Sequence, residues 1–383
     1  MFMKATKAIA LLLVLAVFGR ANAADEKAVD KGDKPKIQMA ILLDTSGSMK
    51  GLLNQARTQL WSIVNEFTTA KRNGKQPVLE VALYEYGHAS LGAKNGFMRQ
   101  IVPMTDNLDK VSEELFKLVT GGSAEFCGQA IDKAASKLKW SESHKDLKCI
   151  FIAGNEEFTQ GPVDYRAACK TAANKGITVS TIYCGAKQEG VANMWLEASK
   201  LADGSFSNID QNRKVPNVVA PQDNELAKLN VRLNTTYVAY GSDKKRMESV
   251  QRQVAQDGNA AKSNPIANNS RIQFKASHLY NNAGWDLCDA ITHKRVKLED
   301  LKEDQLPEAL RKMSVEERKK YIADKIAQRK AIQAEITKLS KLRATYVANE
   351  MKRLSVNLDD TLDAAVVGAA REQAVVKEFS FEK

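Results

Sequence analysis

The sequence predicts a doubly wound α/β fold, a mostly parallel Rossmann-like sheet, over its first half, and a mainly helical second half with one long helix. Three observations predict it. Short continuous apolar runs, IQMAILLD, KCIFIA and ITVSTIYCG, have the pattern of parallel strands buried on both faces. Stretches of helical spacing separate them from Lys50 to about Asp210. Beyond Asn212 the alternation stops and capped helical patterns take over. A chain of 383 residues, 44 % of them hydrophobic, can fill two or three cores.

In chain order, residues 1–23 read as an export leader. Lys4 and Lys7 precede the apolar run AIALLLVLAVF, and Ala21-Asn22-Ala23 supplies a small-x-small cleavage pattern. The run is short for a membrane anchor, and no later stretch is long and apolar enough to span a bilayer. The mature chain is therefore expected to be secreted or periplasmic, without a transmembrane segment. Residues 24–36, ADEKAVDKGDKPK, read as a flexible linker. The α/β domain is expected over 37–212, a mixed connecting region over 213–300, and a helical, coiled-coil-like region over 301–383.

Within the α/β span, Ile37–Asp44 is a strand, and Leu52, Leu53, Leu60, Trp61, Ile63, Val64 and Phe67 mark a helix with one buried face. Val78–Tyr86 alternates as a strand, and a second strand is expected near Phe97 to Pro103. Helices are expected from about Leu108 to Val119, from Cys127 to Leu138 and near Val163 to Asn174. KCIFIA and ITVSTIYCG are the next strands, and SFSNID ends the last helix-then-strand unit.

In the second half, NELAKLNVRLN reads as a helix, TTYVAYG as strand-like, and a charged helix begins near Asp243. YNNAGWDLCDAI reads as a helix start with a buried Trp285. Ser314-Val315-Glu316-Glu317 is a capping box opening a long helix. Its stripe of Ile322, Ile326, Ile332, Ile336, Leu339, Leu342 and Tyr346 is open to three readings: a coiled-coil arm, a seam joining two copies, or a face packed on the first domain.

The formal charge is +11, and the leader's Lys4, Lys7 and Arg20 account for three, leaving +8 for the remainder. That balance favours acidic partners. Acids are interleaved with the bases along the long helix and aromatics are sparse, so a nucleic-acid surface is not expected. The five cysteines contain no CxxC pair, which argues against a zinc ribbon.

The chemistry concentrates at the end of the first strand. Asp44, Ser46 and Ser48 offer one carboxylate and two hydroxyls on a strand-to-helix turn, an oxygen-rich set suited to a hard cation such as magnesium, manganese or calcium. Asp and Ser before a helix are also ordinary caps. GGSAE and GNEE likewise fall where a strand ends or a helix begins, and ligands of doubly wound sheets gather at such edges.

The string DTSGSM behind a hydrophobic strand resembles the metal-ion-dependent adhesion site of von Willebrand factor type A domains, and residues 37 to 210 are similar to that family throughout. The resemblance implies that Asp44, Ser46 and Ser48 hold a divalent cation, magnesium first. It implies the same for Ser123, where the family has a threonine, with Thr120 and Glu125 as alternatives. Asn155 stands at the place of the usual aspartate; an amide still accepts a hydrogen bond, but one charge is lost. Glu156 or Glu157 could restore it. Such a site implies a protein partner that offers a carboxylate to the ion. A disulfide between Cys127 and Cys184 would pin the loop of Ser123; two separate core thiols are the other reading.

An exported, non-catalytic binding protein is thus the leading expectation. The alternative is an envelope scaffold with a degenerate metal site, acting through its C-terminal helices. A metal-dependent hydrolase is the third: no G-x-S-x-G or HExxH occurs, the four histidines are isolated, and only Glu125, Glu156 or Glu157 could serve Asp44 as a base.

Overall fold

Strand β1 (Lys36–Asp44) is almost wholly buried because it lies in the middle of a sheet covered by helices on both faces. The computed structural model describes residues 34–356 and 358–381. The expected leader and most of the expected linker lie outside the described residues. Apart from short turns, the unpredicted β2 and the division of the last helix into two, the elements follow the predicted order: α1 (Lys50–Asn65), β2 (Ala70–Lys71), β3 (Val78–Tyr86), β4 (Met98–Thr105), α2 (Leu108–Lys117), α3 (Cys127–Lys137), β5 (Leu147–Gly154), α4 (Tyr165–Asn174), β6 (Thr178–Cys184), α5 (Lys187–Ala192), α6 (Trp195–Lys200) and β7 (Phe206–Ile209).

The main sheet has the order β4-β3-β1-β5-β6-β7. All neighbours are parallel except β4, which runs antiparallel to β3 at the edge. Side chains alternate across it with period two. Ile37, Met39 and Leu43 face one core with α1 and α2, whereas Ala40 and Leu42 face a second core with α3, α4 and α6.

The second half is helical: α7 (Asp223–Asn234), α8 (Asp243–Ser263), α9 (Pro265–Lys275), α10 (Leu287–Thr292), α11 (Glu308–Arg311), α12 (Val315–Arg353) and α13 (Leu362–Val376), closed by β8 (Ser380–Phe381). Three features differ from the sequence pattern. TTYVAYG makes no strand; its Val238 N–H donates to the Asp286 carboxylate and its Tyr240 N–H to the Trp285 carbonyl, so the α10 cap satisfies the backbone that a sheet would have paired. The polar run around Gly258 continues α8 to Ser263, and Asn264 then caps α9, with Pro265 in its first turn.

The third difference concerns the stripe of α12. Ile322, Ile332 and Ile336 are buried against the neighbouring helices of the same chain, chiefly α7, α9 and α10, whereas Leu342 and Tyr346 are exposed. The capping box at Ser314 and Glu317 is formed, with the Ser314 N–H donating to the Glu317 carboxylate at 2.7 Å. No described helix is long and apolar enough to cross a membrane.

α13 returns to the α/β half. Leu362, Val366, Ala369 and Ala370 join the core that holds α1 and β5, and β8 pairs antiparallel with β2.

Candidate metal centre

β1 lies between β3, which the chain enters after it, and β5, which the chain reaches later after returning from the β4 edge, so Asp44 emerges at a switch point on the carboxyl edge. Asp44 pairs in register with Tyr86, and Leu43 with Ala153. Backbone bonds hold the three loops together there. The Thr45 N–H donates to the Tyr86 carbonyl at 2.8 Å, the Gly121 N–H to the Thr45 carbonyl at 2.8 Å, and the Gly47 N–H to the Gly122 carbonyl at 3.0 Å. The third loop is fixed by the Trp195 Nε1–H, which donates to the Glu156 carbonyl at 2.7 Å.

Four of the predicted ligands come together. The Ser46 N–H donates to Asp44 Oδ1 at 2.7 Å, the Ser46 and Ser48 hydroxyls are 3.3 Å apart, and the Ser48 hydroxyl donates to Asn155 Oδ1 at 3.4 Å. Ser48 is exposed and Asn155 half-buried, so this side of the cluster opens to solvent. Ser123 sits on the adjoining loop, next to Gly122, and is exposed.

Asp44 itself is fully buried, and its Oδ2 has no hydrogen-bond partner among the described residues. Burial raises its carboxyl to about 7; the Ser46 N–H and hydroxyl oppose the rise, while the charges of Glu125 and Glu156 add to it. Glu125 is only 2 % exposed, and burial, reinforced by Glu156, raises its carboxyl too. Among the described residues no Lys or Arg forms an ion pair with Asp44, Glu125 or Glu156. The set of hydroxyls, an amide oxygen and an unpartnered carboxylate oxygen fits a hard divalent cation. No group of three or more described His, Cys, Asp or Glu could hold a metal by itself, so the hydroxyls are essential to such a site.

Two glycines that sequence reasoning did not single out shape the cluster. A Cβ on Gly87, whose φ is +88°, would meet Asp44 Oδ1 at 2.6 Å; one on Gly154 would meet the Tyr86 hydroxyl at 2.5 Å and Asp44 Oδ2 at 3.0 Å. The signal was a glycine directly after β3 and at the end of β5.

The expected bridge between Cys127 and Cys184 is corrected by the structure: both are buried free thiols. Cys127 belongs to the core beneath α3 and Cys184 to the core on the other side of the sheet, so the sheet lies between them.

Residues 38–219 match the family model described as the von Willebrand factor type A domain. No curated protein matches the chain. Among solved structures, it is similar to the conserved hypothetical protein BatB from Bacteroides thetaiotaomicron, at 16% identity over 58% of this chain and 99% of that one, TM-score 0.34. It is similar to the SpRpn10 VWA domain at 15% identity over 48% and 100%, TM-score 0.35. It is also similar to proximal thread matrix protein 1 from the mussel byssus with a zinc-occupied MIDAS motif, at 10% identity over 46% and 42%, TM-score 0.33; the chain thus spans less than half of that protein's length.

Proposed function

We propose that this chain, whose residues 38–219 match the von Willebrand factor type A domain, binds a protein partner through a divalent cation at the carboxyl edge of its sheet. Domains of this family commonly mediate protein–protein interactions through such a site. The ligand set is Asp44, Ser46, Ser48, Asn155 and Ser123, and magnesium is the first candidate among cations that prefer oxygen donors. The carrying observation is the buried Asp44 carboxylate, whose Oδ2 no donor among the described residues satisfies.

When bound, a divalent cation there would supply an electrophilic centre able to take a carboxylate from a partner. Asp44 would give the cation negative charge from the buried side, and the hydroxyls of buried Ser46 and exposed Ser48 would add neutral oxygens. The role is binding rather than catalysis, in a secreted or periplasmic setting consistent with the leader-like pattern before residue 24.

The test is a calorimetric titration of magnesium, then manganese, into the chelator-stripped protein beside Asp44→Ala. Binding by the parent that Asp44→Ala abolishes is the expected result. No binding by the parent up to millimolar metal, or undiminished binding by Asp44→Ala, overturns the reading.

A further inference from the structure

We propose that Glu125 is the second protein carboxylate of this cation site and takes over the charge that Asn155 lacks, an inference that rests on the metal-site reading above. Three observations carry it.

The first is an oxygen without a donor. Glu125 is 2 % exposed, and its Oε2, like Asp44 Oδ2, has no hydrogen-bond partner among the described residues. Buried carboxylate oxygens are almost always satisfied by donors, bases or metals. Here the charged neighbours are Asp44 and Glu156, of the same sign. Asp44 and Glu125 are thus neighbouring buried carboxylates, each with an oxygen that has no partner among the described residues, and a cation nearby would be favoured by both.

The second is the way the backbone holds the two carboxylates side by side. The Glu125 N–H donates to Gln160 Oε1 at 3.2 Å, and Ala124 bridges to Gly87. A Cβ on Gly87 would stand 2.6 Å from Asp44 Oδ1 and 3.1 Å from Glu125 Cγ, so the missing side chain is what lets these acids approach.

The third is selection among the acids of the edge. Glu157 is exposed and accepts from the Thr159 hydroxyl at 3.3 Å, and Glu156 is only half-buried. Glu125 is the one whose carboxylate is withdrawn from water beside Asp44. With it, the protein supplies two negative charges to the ion, as a site with an aspartate in its third loop would.

The experiment compares the parent with Glu125→Gln, Glu125→Asp, Asp44→Asn and the exposed control Glu157→Gln, using manganese as the probe. Each is melted in chelator at pH 8 and titrated with manganese by calorimetry. In chelator, Glu125→Gln is expected to melt above the parent, because it removes a like charge beside Asp44. In the titration it should bind manganese roughly 10–100-fold more weakly, Glu125→Asp should fall between it and the parent, and Glu157→Gln should match the parent.

Parent-like affinity of Glu125→Gln, with binding lost in Asp44→Asn, overturns the role of Glu125 and leaves the metal-site reading intact. No manganese binding by the parent overturns both. Should Glu125→Gln fail to fold, parent-like affinity of Glu125→Asp decides against the proposal, and weakened affinity with an intact melt decides for it.

Discussion

Asp44 is an acid that folding carries to a place where its charge has little solvation, and its protonation therefore feeds back on stability. In the unfolded chain its carboxyl ionises near 3.8, whereas burial raises it to about 7 in the folded protein without metal. Between those values the folded state binds more protons than the unfolded one, so this group's contribution to stability falls as pH rises from about 4 to about 7 and then levels off. Glu125, also raised by burial, acts in the same direction. Thermal melts in chelator across that window should show the decline, and Asp44→Asn should flatten it; an unchanged slope in Asp44→Asn would separate the effect from this residue. Metal binding opposes it, because the cation stabilises the ionised form.

At the scale of elements, the helices of the two halves meet around a buried charge network. The Arg271 guanidinium on α9 is fully buried, pairs with Asp109 on α2 and Asp257 on α8, and stacks 4.4 Å from the Trp61 ring centroid on α1. The Tyr280 hydroxyl donates to Asp109 Oδ2 at 2.8 Å, and Lys275 Nζ to Asp257 Oδ2 at 2.6 Å. Burial alone would raise Asp257, but Arg271 and Lys275 outweigh it and hold it at about 2. Arg271→Ala leaves Asp109 buried without its cation, and urea denaturation should show a loss of about 3–5 kcal/mol. A loss below about 1 kcal/mol, the range of exposed pairs, would mean that the network does not join these elements.

For the whole chain, the α/β half is completed from the far end of the sequence. Leu362 and Val366 of α13 line one apolar space with Ile41, Leu60, Ile63, Phe151 and Ile182, so the last helix covers part of the face that α1 and α2 leave open. Arg371 of α13 pairs with Glu66, and Gln55 and Gln59 of α1 accept from the Leu362 and Asp363 N–H groups. A chain ending at residue 356 should expose that apolar face, bind a hydrophobic dye and lose its cooperative melt. Retention of a parent-like melt would show that α13 is dispensable for the sheet.

The sequence by itself determined what local chemistry can encode. Continuous apolar runs such as KCIFIA read as buried strands because both faces of a parallel sheet are covered, and the box at Ser314 and Glu317 marked a helix start because the bonds involved span only a few residues. Asp44, Ser46 and Ser48 were legible as one donor set because they share one turn. TTYVAYG misled because alternation records burial, not the availability of a strand partner. Only the tertiary structure decided the rest: that Asn155 meets Ser48, that Glu125 rather than Glu157 lies buried beside Asp44, that Cys127 and Cys184 fall on opposite faces, and that α13 packs on the first half. These depend on which distant segments share a sheet edge or a helix face, and that is set by the packing of the whole core rather than by any local run of residues.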